Sequence, residues 1–276
     1  MADSSIEWTD ATWNPTTGCD RTSPGCDFCY AQKMAGRLKA MGQVKYQVDG
    51  DPRTSGPGFG LTLHPDVLDL PRGWARPRMI FVNSMSDLFH PKVPLDYVRQ
   101  VFEVMADTPR HTYQILTKRS KRLADLAGSL PWPGNVWMGV SIETQAYAFR
   151  ADHLRAVPAA VRMLSLEPLL APVELELNGI DWVIAGGESG PGLSTGRRGM
   201  DHEHPRCLRS VPNALLLQAV GRPDIQDEGS PAPRSDLEPV PGPWPRQKAG
   251  SIVSERREGD PALRRLVASV ALRGRG

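Results

Sequence analysis

Short apolar runs alternate with stretches of helical periodicity through residue 192 of the chain. Met79-Ile80-Phe81-Val82 reads as a strand, and behind it Leu95, Val98, Val101, Phe102 and Met105 recur at the spacing of one helical face. Tyr113–Thr117 is the next strand, with Ser120 placed to cap a helix carrying Leu123, Leu126 and Ala127. Val136–Ser141 follows with a helix over residues 144–156, and then come Arg162–Leu166 and Asp181–Ala185. Upstream, Ile6-Glu7-Trp8 and Thr12-Trp13-Asn14 form an aromatic-rich strand candidate leading to Gly18, and Ala31–Met41 is a run of helix formers with Met34, Leu38 and Met41 on one face. Residues 42–78, rich in Gly, Pro and charge, read as a long excursion with a short helix near Pro65–Leu70.

Strands separated by helical crossovers pair in parallel. Six strand candidates predict an α/β fold, a partial or complete (β/α) barrel of the TIM type; a doubly wound open sheet is the alternative. In either case the loops at the carboxyl ends of the strands build the site. Polar residues gather at those ends: Asn83, Ser84, Ser86 and Asp87; Thr117, Lys118 and Arg119; Ser141 and Glu143; Glu167; and the loop Gly186-Gly187-Glu188-Ser189-Gly190. Some of these carry local duties as readily as chemistry. Ser86 or Asp87 fits as the cap of a turn, Glu143 and Glu167 suit the start of a helix, and the glycine loop suits a tight turn.

The cysteine loop follows the first strand at the same end. Cys19, Cys26 and Cys29 fall within eleven residues, the last two as Cys-x-x-Cys. Thiolates are the soft ligands of iron-sulfur clusters, and three of them leave one iron of a [4Fe-4S] cluster open to an exogenous ligand. The alternative is a structural zinc site, with His64 or His90 completing a Cys3His set.

Composition narrows the class. The chain has 276 residues, 40% hydrophobic content and a net charge of +2. That is enough for a sizeable core, without the surplus of basic residues that would demand a nucleic-acid or membrane partner. No apolar run is long enough for a membrane span, and the first residues lack the basic and apolar regions of a signal peptide, so a cytoplasmic protein is expected. In such a compartment clustered cysteines read as metal ligands before disulfides.

Residues 1–192 are expected to form the barrel-like domain, and residues 193–276 an irregular tail rich in Arg, Pro, Gly and Ser. Ordinary disorder accounts for this composition. The sharper alternative is translation out of frame: the run Leu215–Val220 admits codons that, shifted by one base, read Phe-Phe-Phe-Lys-Gln. On that reading Cys207 is not a designed ligand.

Taken jointly, several motifs resemble a family of phage and prophage proteins of unknown function with a three-cysteine motif. They are Trp13-Asn14-Pro15-Thr16-Thr17-Gly18-Cys19, Gly25-Cys26-Asp27-Phe28-Cys29-Tyr30-Ala31, Asn83-Ser84-Met85-Ser86-Asp87-Leu88-Phe89, Leu116-Thr117-Lys118-Arg119, Gly139-Val140-Ser141, Leu166-Glu167-Pro168 and the Gly-Gly-Glu loop. That family in turn looks like a divergent branch of the radical S-adenosylmethionine superfamily. Six residues separate Cys19 from Cys26 here, where the usual superfamily spacing has three. The resemblance implies that Cys19, Cys26 and Cys29 hold a [4Fe-4S] cluster whose fourth iron is chelated by S-adenosylmethionine. It further implies cofactor contacts from Asn83, Ser84, Ser86, Asp87, Lys118, Ser141, Glu143, Glu167, Gly186, Gly187 and Glu188, and a protein reductant. The expected substrate is a nucleotide or nucleic acid, by analogy with the phage setting. The competing reading is a nucleic-acid-associated binding protein with a structural zinc or iron-sulfur site, in which Trp8, Trp13 and Tyr30 stack on bases beside Lys118 and Arg119.

Overall fold

A seven-stranded sheet organises the structure, a computed structural model that describes residues 9–186 and the backbone of two further four-residue strands. In chain order the elements are β1 (Ala11–Trp13), β2 (Thr16–Thr17), α1 (Tyr30–Ala40), β3 (Thr62–Leu63), β4 (Met79–Val82), α2 (Leu95–Asp107), β5 (Thr112–Thr117), α3 (Ser120–Leu126), β6 (Val136–Ser141), α4 (Arg150–Arg155), β7 (Val161–Leu166), β8 (Val173–Glu176), β9 (Trp182–Ala185), β10 (Leu215–Gln218) and β11 (Arg265–Ala268). The sheet order is β1-β4-β5-β6-β7-β9-β10. Its first six strands are mutually parallel, and β10 closes the far edge antiparallel to β9. Two small antiparallel pairs, β2 with β3 and β8 with β11, stand apart from it. The architecture is a partial (β/α) barrel of the TIM type.

Both faces of the sheet are covered, which is why its strands are nearly continuous apolar runs. Ile80, Val82, Tyr113, Ile115, Met138, Val140, Leu164 and Val183 pack in one core with Val98, Val101, Phe102 and Met105 of α2, Leu123 of α3 and Leu154 of α4. The intervening positions Phe81, Trp137, Met163 and Ile184 form a second cluster on the other face, with Trp137 and Trp182 ring centroids 5.5 Å apart. Gly139 lies in the middle of β6, where a Cβ would stand 2.4 Å from Met163 Cγ and 2.6 Å from Leu116 Cδ2. Only glycine lets those two side chains meet across the strand.

Three local expectations are corrected. The helix over residues 144–156 is a single 3-10 turn, Gln145–Tyr147, followed by the short α4. The Gln145 amide accounts for the break, since it donates to Glu174 O and accepts from Glu174 N, which anchors the segment to β8 instead of a helix axis. Ser120 does not cap α3; it is the first helical residue, and its hydroxyl lies 2.9 Å from His153 Nδ1. In α1 the buried residues are Ala31 and Ala35, while Met34 and Met41 point to solvent. The small side chains let the helix approach Phe59, Met85 and the cysteine loop closely.

The expected strand at Ile6-Glu7-Trp8, the loop residues Gly187, Glu188, Ser189 and Gly190, Cys207 and the tail reading for residues 193–276 lie outside the described residues, apart from the backbone of β10 and β11. Among the described residues no helix is long and apolar enough to cross a membrane.

Candidate active site at the carboxyl ends of the strands

The cysteine loop is tied to the sheet at its first residue. Gly18 has φ +83, forms a parallel bridge to Ser86 beyond the end of β4, and donates to Met85 O at 2.9 Å. A Cβ there would stand 2.2 Å from Gly60 O, so both the backbone angle and the space require glycine. Cys19 N then donates to Phe59 O at 3.2 Å, Pro24–Cys26 makes a 3-10 turn, and Cys29 is the N-cap residue of α1. All three thiols are free and half-buried.

Two buried carboxylates hold this loop against the strand ends. Asp87 accepts from Thr117 Oγ1 at 2.8 and 2.9 Å, from Phe89 N at 2.9 Å and from Lys118 N at 3.1 Å. Arg119 Nη1 lies 3.4 Å from Asp87 and 3.5 Å from Cys19 Sγ, while Nη2 donates to Asp20 O at 3.0 Å. Glu143 is fully buried; its Oε1 accepts from Ser23 Oγ at 2.6 Å and its Oε2 from Arg150 Nη1 at 2.9 Å. Lys118 Nζ stands 3.6 Å from Glu143 Oε1. Gly25 packs against the same carboxylate, with no room for a Cβ, which would lie 2.4 Å from Glu143 Cγ.

The thiols sit in unequal fields. Burial pushes Cys19 up to about 12, with the Asp87 charge adding to it and the Arg119 charge opposing. Burial also raises Cys26, but Lys118 and the hydrogen bonds from Thr22 and Ser23 outweigh it and leave that thiol below its ordinary value. Cys26 opens onto a cleft of about 330 Å³ lined by Arg21, Asp27, Gln32, Pro52, Arg53 and Thr54.

The remaining sequence-predicted residues surround this loop. Asn83, with φ 61, accepts from Thr16 N at 3.4 Å through Oδ1, and its buried Nδ2 has no partner. Ser84 accepts from Tyr30 OH at its carbonyl and exchanges side-chain hydrogen bonds with Asn14. Ser86 Oγ donates to Thr16 O at 2.9 Å. Ser141 carries the carbonyl that Arg150 Nη1 holds at 2.6 Å, and Ser165 of β7 lies directly across from it in register. Glu167 adjoins Gly186, where a Cβ would stand 2.4 Å from Glu167 Oε1. Side chains alternate along strands, so Ser141 continues the row of Trp137 on β6, while Asn83, Lys118, Glu167 and Gly186 stand just past the carboxyl ends of β4, β5, β7 and β9.

Sequence reasoning missed Ser23, Arg150 and the Asp20–His90 pair, in which Asp20 Oδ2 and His90 Nε2 are 2.9 Å apart. Each is a single polar residue without a spacing signature, joined to its partner only by the fold. Trp13, expected at a base-stacking surface, is instead 1% exposed in the core, with Nε1 donating to Val67 O at 2.9 Å. It presents no free face to a base.

The donor set fits an iron-sulfur cluster better than a lone zinc ion. His64 Nε2 is 2.8 Å from Thr17 Oγ1, and His90 uses both ring nitrogens, on Asp20 and on Lys92 N. Neither histidine joins the cysteines. Among the described residues no three His, Cys, Asp or Glu side chains converge on a single ion position.

Fold and site together define a parallel partial-barrel protein with a three-cysteine loop at the carboxyl ends of its strands. Residues 3–215 match the family DUF5131, described as proteins of unknown function, and the chain belongs to that family. No curated protein matches it. Among solved structures, a cysteine-to-serine variant of spore photoproduct lyase aligns with 14% identity and a TM-score of 0.40, over 60% of this chain and 48% of that one. A double variant of the same lyase with bound AdoMet and a dinucleoside spore photoproduct aligns with 15% identity and a TM-score of 0.38, over 56% and 44%. The alignments therefore span less than half of the lyase chain.

Proposed function

We propose that the chain is an iron-sulfur enzyme of the radical S-adenosylmethionine type, with Cys19, Cys26 and Cys29 as ligands of a [4Fe-4S] cluster. The observation that carries the reading is the donor set: three free thiols in one loop at the carboxyl ends of six parallel strands, with both neighbouring histidines committed elsewhere. Such a cluster supplies one electron to cleave S-adenosylmethionine into methionine and an adenosyl radical that takes hydrogen from substrate.

The chain's own residues then have distinct tasks. Glu143, held by Arg150, fixes Ser23 and Gly25 and so sets the path of the loop between Cys19 and Cys26. Arg119, oriented by Asp87, places a positive charge at Cys19, where it offsets the charge of a bound thiolate. Asn83 offers an unpaired amide N–H to a polar ligand, and Lys118, Ser141, Glu167 and Gly186 are assigned to the remaining approach to the cofactor, with Gly187 and Glu188 kept as contacts on the sequence alone. The second cluster of apolar side chains, around Trp137 and Trp182, excludes water below it. A nucleotide or nucleic-acid substrate is the class this reading favours.

Anaerobic addition of iron and sulfide, in competition with zinc, tests the metal. We expect about four irons per chain, broad visible absorbance and loss of both in Cys26→Ala, with Cys207→Ala unaffected. Tight zinc uptake with no iron would replace the reading by a structural zinc site.

A further inference from the structure

Strand β5 runs into two consecutive basic residues that go to different cysteines. Thr117 Oγ1 donates to Asp87 and accepts from Arg119 N, while Lys118 N donates to the same carboxylate, so the backbone of both is locked where the strand stops. From there Arg119 Nη1 reaches Cys19 Sγ at 3.5 Å, and Lys118 runs to Glu143 beside Cys26. Ser23 Oγ, which donates to that same Glu143 oxygen, lies 3.9 Å from Cys26 Sγ. Two chains of thiol, cation and buried carboxylate result: Cys19, Arg119 and Asp87 form one, and Cys26, Lys118 and Glu143 the other.

Neither cation is closed off by its carboxylate. Charge-assisted pairs in close contact stand about 2.7–2.9 Å apart, whereas Arg119 Nη1 is 3.4 Å from Asp87 Oδ2 and Lys118 Nζ is 3.6 Å from Glu143 Oε1. The carboxylates are occupied elsewhere. Asp87 accepts from Thr117 Oγ1, Phe89 N and Lys118 N, and Glu143 accepts from Ser23 Oγ at 2.6 Å and Arg150 Nη1 at 2.9 Å. Arg150 already matches the charge of Glu143, which makes Lys118 the surplus cation of that group. Both cationic side chains are shielded, Arg119 at 10% and Lys118 at 21% exposed, so water and salt screen their fields at the sulfurs only weakly. Lys118 is the foremost of the groups that hold the Cys26 thiol below its ordinary value against burial.

We propose that Lys118 and Arg119 set the reduction potential of a cluster bound by the loop, Lys118 acting on Cys26 and Arg119 on Cys19, an assignment that rests on the iron-sulfur reading. A cluster held by three thiolates is anionic and becomes more so on reduction, when it gains one electron from a reductant such as dithionite and no bond is made or broken. Buried cations at two of its sulfurs favour the reduced form and raise the potential. Asp87 and Glu143 work in the opposite sense, each offsetting the cation it faces.

The test is a redox titration of the full chain, anaerobically reconstituted, poised with dithionite and followed by electron paramagnetic resonance. S-adenosylmethionine is left out, so a contact between Lys118 and the cofactor plays no part. At a fixed solution potential, Lys118→Gln and Arg119→Gln should each lower the ratio of reduced to oxidised cluster at least about tenfold, which is about 59 mV for a one-electron couple. Lys118→Arg, which keeps the charge, should behave as the parent, and Asp87→Asn should shift the ratio the other way. A loop merely distorted by substitution loses iron without this reversal of sign. Parent-like potentials in both glutamine variants at full iron loading would overturn the assignment, as would a fall in Asp87→Asn as large as theirs. Should Arg119→Gln fail to load iron, the two Lys118 variants decide alone. A parent chain that takes up no iron would instead end the iron-sulfur reading itself, a failure seen in the iron content before any potential is measured.

Discussion

Ser23 Oγ donates to Glu143 Oε1 at 2.6 Å, across 120 residues of sequence. The bond joins the cysteine loop to the loop after β6, and the carboxylate that accepts it is fully buried with Arg150 on its other oxygen. A buried acid matched on both oxygens is a rigid post. The loop carrying Cys26 leans on it through Ser23 and through Gly25.

Removing either contact should loosen the loop before it unfolds the domain. Ser23→Ala loses a hydrogen bond to a charged group, worth about 1.5–3 kcal/mol. We expect iron to be stripped faster by a chelator, with a fall of only a few degrees in melting temperature. Glu143→Ala leaves the buried Arg150 without its counter-charge and should cost about 3–5 kcal/mol overall. Chelator kinetics and thermal melts of the two variants separate these effects; equal iron retention in Ser23→Ala would show that the bond does not hold the loop.

Gly25→Ala makes the same point sterically. Its Cβ would stand 2.4 Å from Glu143 Cγ, and that side chain is pinned at both oxygens and has nowhere to retreat. Over-packing of this kind costs about 1–3 kcal/mol. The expected outcome is reduced cluster occupancy, measured as iron per chain, with the secondary structure intact by circular dichroism.

Thiol reactivity in the metal-free chain should follow the fields at the site. The nucleophile is the thiolate, so its abundance at a given pH falls as the thiol pKa rises. Burial takes Cys19 up to about 12, whereas Lys118 and the Thr22 and Ser23 hydrogen bonds overcome burial at Cys26 and lower it. At pH 8 iodoacetamide should therefore label Cys26 well before Cys19, as mapped by mass spectrometry. Arg119→Met, which removes the cation beside Cys19, should widen the gap; labelling of Cys19 first would contradict the assigned fields.

Much of the fold was legible because a parallel sheet buried on both faces writes itself as apolar runs. All six parallel strands overlap runs visible in the sequence, with β1, β5 and β7 each starting one residue before the run, and α2 follows the spacing of Leu95, Val98, Val101, Phe102 and Met105. The rest depended on long-range contacts that leave no periodic trace. Gln145 ends a helix by binding Glu174, and α1 is buried by its alanines because of what lies beneath it. At the site, the cysteines and strand-end polar residues were visible as types. The pairing of Glu143 with Ser23 and Arg150, and of Asp87 with Arg119, was not, since either carboxylate could equally have served a helix end.

Stability should also depend on pH through a residue far from the site. His111 is fully buried, its Nε2 is 3.1 Å from Pro71 O, and its Nδ1 has no partner. Burial, outweighing the bond to Pro71, lowers its pKa below the ordinary 6.5. The unfolded chain therefore binds the proton more readily than the folded one, so stability is full above about pH 6.5 and declines as pH falls below that value. Melting temperatures from pH 7.5 to 5 should drop, and His111→Leu should flatten part of that slope; an unchanged slope would assign it to other groups.

The central claim is that the three-cysteine loop builds a cluster with an iron left open to S-adenosylmethionine. The most direct measurement is the yield of 5′-deoxyadenosine from S-adenosylmethionine when the reconstituted chain is reduced with dithionite. The parent chain should form it, and the Cys19→Ala, Cys26→Ala and Cys29→Ala variants should form none. A fully loaded cluster that reduces yet yields no 5′-deoxyadenosine, with no change in its electron paramagnetic resonance spectrum on adding S-adenosylmethionine, would contradict it.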